Sequence, residues 1–137
     1  MTEEEIIRKI QKIHSKIKEE RFKDLVSSKG LEELSRTITE LLMLFSRLEN
    51  QSIAVEFLQL NSKMILVSLE NIQVYRMKYD LRSKHGQLYE EDEIDFKHSM
   101  DAMNYLLNSS LDKIIKSTPC ILGFCDHKEE HLKEEVQ

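Results

Sequence analysis

The chain has 137 residues, about the length of one domain. Its composition is 40% hydrophobic and 33% charged, with three glycines and one proline. This is too apolar for a disordered chain and too poor in turn residues for an all-β fold. The formal net charge of −5 combines 20 basic with 25 acidic residues, which argues against a surface built throughout to bind phosphates.

Two features of the sequence bear on where the protein acts. The N-terminus has neither the basic nor the apolar segment of a signal peptide, and the longest apolar run is only the five residues 41–45. The two cysteines lie in one short stretch, so we expect thiols rather than a disulfide framework. The sequence therefore predicts a cytoplasmic or nuclear protein that does not span a membrane.

The first predicted helix covers residues 3–26. Thr2 and Glu5 form a capping-box pair, which is typical of a helix start. Isoleucines then recur at alternating spacings of four and three residues, the pattern of a narrow helix seam. This stripe consists of Ile6, Ile10, Ile13 and Ile17.

The second predicted helix covers residues 31–48, and its apolar residues follow one face of a helix. The phase of this pattern breaks at residues 50–52, so we expect a turn there. The stripe consists of Leu31, Leu34, Ile38, Leu41, Leu42, Phe45 and Leu48.

The third predicted helix covers residues 53–82, with Ser52 as its N-cap. It carries two apolar stripes, so we expect it to be the central helix of a bundle. Gly86 is well placed to adopt a left-handed conformation just beyond its end. One stripe is Ile53, Phe57, Leu60 and Met64, and the other is Ala54, Leu58, Ile65, Leu69 and Ile72.

The fourth predicted helix covers residues 92–117. The acidic run 90–93 suits the positive end of a helix dipole. Pro119 has no backbone N–H, so we expect the helix to end before it, at about Ser117. The apolar stripe consists of Phe96, Met100, Met103, Leu107, Leu111 and Ile114.

Four helices joined by short turns predict an all-α, antiparallel four-helix bundle over residues 1–119. Residues 120–137 form a short C-terminal tail that is first apolar and then charged. In the tail, we expect Ile121, Leu122 and Phe124 to fold back onto the bundle. Met64, at a stripe position like Met100 and Met103, is expected to fill the core.

The tail also carries a cluster of metal-binding residue types. Two thiolates and two imidazoles are the right number and kind of ligands for tetrahedral zinc. The C-x4-C spacing is loose, however, and an apolar patch with two thiols explains the segment without a metal. We predict no metal and no cofactor, and keep a small zinc-binding protein as an alternative that uses Cys120, Cys125, His127 and His131.

The sequence contains no Gly-rich phosphate loop, no nucleophile elbow and no Cys–His pair with an orienting residue. We therefore predict a non-enzymatic protein-interaction module, an adaptor or regulatory subunit that presents an apolar helix face to another protein or to a second copy of itself. The predicted contact residues give their helices a wider apolar face than the packing of a small bundle needs. They are Leu41, Met43, Leu44, Ile6, Ile10 and Ile13.

The first alternative to the interaction module, ahead of the zinc-binding protein, is a nucleic-acid-associated regulator that uses a basic stripe on the first helix. No aromatic residue is interleaved for base stacking, which makes nucleic acid the less favoured partner. The stripe consists of Lys9, Lys12, Lys16 and Lys23.

Overall fold

The computed structural model describes residues 1–20, 28–86 and 89–125. These residues form four helices and no strand: α1 (Glu3–Glu20), α2 (Ser28–Arg47), α3 (Ile53–Lys84) and α4 (Glu90–Leu122). α1 and α3 each pack against both α2 and α4. The predicted four-helix bundle is thereby confirmed. Among the described helices, none combines the length and the apolar character needed to cross a membrane.

The residues predicted to start α1 and α3, and to follow the end of α3, have the expected local structure. The backbone N–H of Glu5 donates to Thr2 Oγ1 at 3.2 Å, and the backbone N–H of Val55 donates to Ser52 Oγ at 3.2 Å. Gly86 has a φ of +64°, a conformation that glycine adopts without a steric penalty. The part of the first predicted helix from residue 21 to 26 lies outside the described residues.

The core is built from one face of each helix. The α1 stripe and the C-terminal half of the α4 stripe are buried. The α2 stripe is also buried, except for Leu42, which is half-buried. Burying each such side chain stabilises the fold by about 1.5 to 3 kcal/mol before ordering costs. The largest fully buried side chains include Phe45, Ile10, Leu34, Ile38, Leu58, Ile65 and Leu107.

α3 and α4 extend beyond the part of the bundle in which all four described helices pack together. They have 32 and 33 residues, against 18 in α1 and 20 in α2. The buried residues of α3 end at Ile72, and those of α4 begin at Leu107. Met100 and Met103 of α4 still pack against the core, so residues 73–84 of α3 and 90–99 of α4 extend as a two-helix arm, about 18 Å long along α3 at 1.5 Å per residue.

Aromatic packing joins the two helices of the arm. The ring of Phe96 stacks on Tyr79 with centroids 4.1 Å apart and on Tyr75 at 5.7 Å. Arg82 and Asp92 form an ion pair at 3.4 Å near the tip. Such stacked rings stabilise the packing of α3 against α4.

The predicted end of the fourth helix is wrong. α4 continues through Pro119 to Leu122 and is capped by Gly123 with a φ of +82°. Pro119 removes the N–H that would bond to the carbonyl of Ile115. His14 Nε2 of α1 lies 2.8 Å from that carbonyl oxygen and replaces the missing donor, so the helix can continue.

The predicted central position of the third helix is also wrong. Only one of its two stripes is buried, through Leu58, Ile65, Leu69 and Ile72, while the stripe that begins at Ile53 faces solvent. α3 packs against α2 and α4 on one side, which leaves its other side uncovered. Met64 belongs to the uncovered side and is exposed rather than a core filler, whereas Met100 and Met103 are half-buried against the core.

Candidate functional site

The most distinctive surface of the described chain is the uncovered face of α3. Its residues recur at alternating spacings of four and three from residue 53 to residue 81, the repeat of a coiled-coil helix. All of them except Asn71 and Lys78 are apolar. We call this surface the α3 seam; it consists of Ile53, Phe57, Leu60, Met64, Val67, Asn71, Val74, Lys78 and Leu81.

The apolar side chains of the seam are exposed to an unusual degree. Ile53 is 86% exposed, Leu60 57% and Val67 56%. Together the seven apolar members expose on the order of 700 Å², more than a monomeric protein usually leaves in one apolar patch. Scattered exposed apolar residues are common, but a continuous helical row of them indicates a surface that binds something.

The heptad positions of the seam follow from its spacing. The step of four from Ile53 to Phe57 places Ile53 at a d position and Phe57 at an a position. Asn71 and Lys78 then occupy a positions, where a polar residue restricts register and partner number at some cost in stability. The α3 seam therefore has the repeat of a coiled-coil helix with a polar residue at two of its a positions.

Charged residues flank the seam along one side. Glu56, Lys63 and Glu70 occupy successive g positions, and all three are exposed. Residues at this position commonly form ion pairs with a partner helix and set its orientation. None of the three takes part in an ion pair within the described chain, whose two pairs are Lys16–Glu33 and Arg82–Asp92.

The arm widens the seam at its C-terminal half. Asn71, Val74 and Lys78 of the seam line an open groove, and the opposite wall belongs to α4. The groove includes Met103 beside Val74, so an occupant would contact both helices. A separate cleft of about 180 Å³ lies beside the stacked tyrosines. It is smaller than the roughly 300 to 1,000 Å³ that ligand sites usually occupy.

The structure places most of the predicted protein-binding residues inside the bundle. Five of the six are less than a tenth exposed and already pack against neighbouring helices, whereas Met43 is 51% exposed on the outer side of α2. The apolar width that suggested a partner surface is used by the bundle itself. The buried residues are Ile6, Ile10, Ile13, Leu41 and Leu44.

The basic stripe of the nucleic-acid alternative lies on the surface of α1. Lys9, Lys12 and Lys16 are exposed. Lys16 Nζ lies 3.8 Å from Glu33 Oε1 of α2, so an acidic side chain already faces part of the stripe. Lys23 lies outside the described residues.

The structure describes only half of the proposed zinc cluster. Cys120 lies exposed in the last turn of α4, and the half-buried Cys125 follows the helix. Partial loss of solvent around the thiol raises the pKa of Cys120, and its hydrogen bond with Cys125 raises that pKa further. His127 and His131 lie outside the described residues, and the described residues alone contain no cluster of three or more metal-binding side chains.

The apolar spacing in the sequence identified the first four residues of the α3 seam but not its continuation. Val67, Val74 and Leu81 extend the same repeat beyond Met64. A search for a sustained spacing of three and four residues would have found them, because the repeat holds over four heptads. Whether this row lies inside or outside the bundle could not be read from spacing.

No protein-family model matches the chain, and comparison with curated proteins and with solved structures found no significant match.

Proposed function

We propose that this protein is a non-enzymatic helical interaction module, an adaptor or regulatory subunit, and that the α3 seam is its binding surface. The observation that carries the proposal is the exposed heptad row from Ile53 to Leu81 on the outside of the bundle. Such a row gains stability only when another helix covers it. We also propose that the protein acts in the cytoplasm or nucleus, where the hydrogen-bonded thiols of Cys120 and Cys125 stay reduced.

The fold supports this role by keeping the seam rigid. Leu58, Ile65 and Leu69 anchor the opposite side of α3 in the core, so the exposed side is held in helical form before a partner arrives. A preformed helix loses little conformational entropy on binding. The binding energy can then come mainly from burial of the apolar row.

The proposal is tested by recovering partners from the native cell with three tagged proteins. One is the natural chain, one carries Leu60→Lys with Met64→Lys on the seam, and the control carries Met43→Lys on the outer side of α2. We expect the natural chain and the control to recover the same proteins and the seam variant to lose them. Mass spectrometry of the recovered proteins is the measurement.

The seam and control variants are matched because every substituted side chain is at least 44% exposed. Thermal unfolding followed by circular dichroism should show that both remain folded, since exposed substitutions usually change stability by less than about 0.5 kcal/mol. Recovery of the same proteins by all three chains would show that the α3 seam is not the binding surface.

A further inference from the structure

We infer that the α3 seam is covered by the α3 seam of a second copy of this chain, packed antiparallel with Met64 opposite the partner's Val67. The inference rests on the proposed function, because it names the occupant of the same surface. A two-fold interface requires one surface to complement itself. The residues of the seam meet that requirement in one register.

In an antiparallel pair of helices, each a position faces a d position of the other helix. With Met64 opposite the partner's Val67, the next layer outward places Leu60 opposite the partner's Asn71, and the layer after it places Phe57 opposite the partner's Val74. The two-fold axis repeats each layer, so the interface contains four wholly apolar layers, two at its centre and one beyond each layer that contains Asn71. In each of these apolar layers, a large side chain (Met64 or Phe57) faces a smaller valine of the partner, which favours interdigitated packing.

The polar members of the seam are tolerated in this register. Asn71 lies opposite the partner's Leu60, beside the groove that α4 borders. Lys78 lies opposite the partner's Ile53 at the end of the interface, where its aliphatic stem can cover Ile53 while its ammonium group stays in water. The end of the seam therefore keeps its charge solvated.

The flanking charges select this register over its neighbours. It brings Lys63 beside the partner's Glu70, and the symmetry repeats that pair. A shift by one heptad in one direction places Glu70 beside the partner's Glu70, and a shift in the other direction places Lys63 beside the partner's Lys63. Both shifts put like charges together, which is unfavourable across a helix interface.

A parallel arrangement lacks these pairs. It places each g residue beside an e residue five positions further along the partner. Lys63 would then lie beside the partner's Ser68, and Glu70 beside the partner's Tyr75, so no charge pair forms. The parallel arrangement also places Lys78 beside the partner's Lys78 in the seam.

The area of the seam suits a stable dimer. Each copy would bury on the order of 600 Å² of apolar seam, because Leu81 lies beyond the end of this register, and two copies then reach the lower end of the roughly 1,200 to 2,000 Å² that stable interfaces bury. The C-terminal residues 126–137 are not a comparable occupant. They contain only Leu132 and Val136 as large apolar side chains, against seven in the seam.

The test is analytical ultracentrifugation of the purified full chain at about tens of micromolar. We expect a mass of about 32 kDa, twice the 16.2 kDa of one chain. Met64→Glu should weaken dimerisation by about tenfold or more, and Met43→Glu, on the outer side of α2, should leave it unchanged. Because Met64 is exposed in the monomer, circular dichroism should show both variants folded.

Charge reversal then tests the orientation. Lys63→Glu alone and Glu70→Lys alone should each weaken dimerisation by about tenfold, because the two-fold axis turns two attractive pairs into two repulsive ones. An equimolar mixture of these two variants should form a heterodimer nearly as tight as the natural homodimer, since every facing pair is again opposite in charge. No effect of either reversal on a stable dimer would overturn the antiparallel register.

A monomer at these concentrations would overturn the inference. The proposed function is tested separately from the dimer. If the chain is a monomer but the variant Leu60→Lys with Met64→Lys fails to recover partners, the seam binds a different protein and the proposed function stands. A monomer combined with seam-independent recovery would overturn both. A dimer that Met64→Glu leaves intact would place the interface elsewhere and overturn the inference.

Discussion

At the residue scale, Pro119 and His14 depend on each other across the bundle. Pro119 cannot donate to the carbonyl of Ile115, and an unpaired buried carbonyl is costly. His14 Nε2 lies 2.8 Å from that oxygen, and because a carbonyl only accepts, the nitrogen must carry a proton. The edge of the His14 ring also meets the ring of Phe124 at a centroid distance of 5.7 Å. This side chain therefore ties α1 to the last turns of α4.

The exchange of donors can be measured with a double-mutant cycle in urea. His14→Ala should lower the free energy of unfolding by about 1 to 3 kcal/mol, because the carbonyl of Ile115 loses its donor. Pro119→Ala restores the backbone N–H that can bond to this carbonyl. In that background, His14→Ala should cost measurably less. The contact with Phe124 is lost in both backgrounds and cancels in the comparison.

An equal loss of stability in both backgrounds would show that the bond from His14 to Ile115 contributes nothing beyond packing. Pro119→Ala alone serves as the reference variant. It should not lower stability, because it adds a helix-forming residue and a backbone donor.

At the scale of elements, α3 shows that apolar pattern and burial are separate properties. Its two stripes are similar in composition, but one is anchored by Ile65 and Leu69 in the core while the other, with Leu60 and Val67, faces solvent. A helix can bury only the sides that other helices cover. The two stripes of α3 therefore predict two packing interfaces, and only the stripe with Ile65 and Leu69 packs within the bundle.

The last turn of α4 gives a second prediction at this scale. Ile121 and Leu122 pack against the core, and Phe124 contacts His14, so this part of the predicted docking is confirmed. Truncation after Thr118 should lower the free energy of unfolding by on the order of 3 kcal/mol, because these partly buried side chains are lost. Truncation after Cys125, which keeps all of them, is the matched control. Urea unfolding provides the measurement.

Substitution of the two histidines in the tail distinguishes packing from the zinc alternative. Replacing His127 and His131 with alanine should change stability by less than about 0.5 kcal/mol if packing alone holds the segment. Stoichiometric zinc in the purified protein, together with destabilisation by chelation or by the double substitution, would make Cys120 and Cys125 metal ligands instead.

At the scale of the whole molecule, the bundle separates its apolar and basic surfaces. The α3 seam lies on one helix and the basic stripe on another, with Lys9 and Lys12 exposed on α1. The chain as a whole carries a net charge of −5, which opposes nonspecific attraction to phosphates. A nucleic-acid role would therefore depend on the local charge of α1 alone.

This alternative predicts a strong dependence on salt. If α1 binds DNA or RNA, affinity should fall steeply as salt rises, and the triple substitution of Lys9, Lys12 and Lys16 by glutamate should abolish it. Fluorescence anisotropy with labelled duplex and single-stranded probes at low salt measures both effects. The seam variant Leu60→Lys with Met64→Lys should bind like the natural chain. Absence of binding at low salt would remove nucleic acid as a partner.

The sequence by itself determined the parts of the fold that depend on neighbours along the chain. Helix number, the turn before Ser52 and the buried stripe from Ile6 to Ile17 follow from capping chemistry and from periods of three and four residues. These signals are local, so they survive whatever tertiary arrangement the helices adopt. Five of the six predicted protein-binding residues are buried because the bundle itself uses their apolar surface, whereas Met43 is exposed.

Only the tertiary structure decided which apolar face stays outside and where α4 ends. The seam around Met64 is exposed because α2 and α4 cover the opposite side of α3, a choice that spacing cannot reveal. α4 passes Pro119 because His14, 101 residues from Ile115, supplies the missing donor. Both outcomes depend on residues that are distant in sequence and meet only when the helices pack, so no local pattern could predict them.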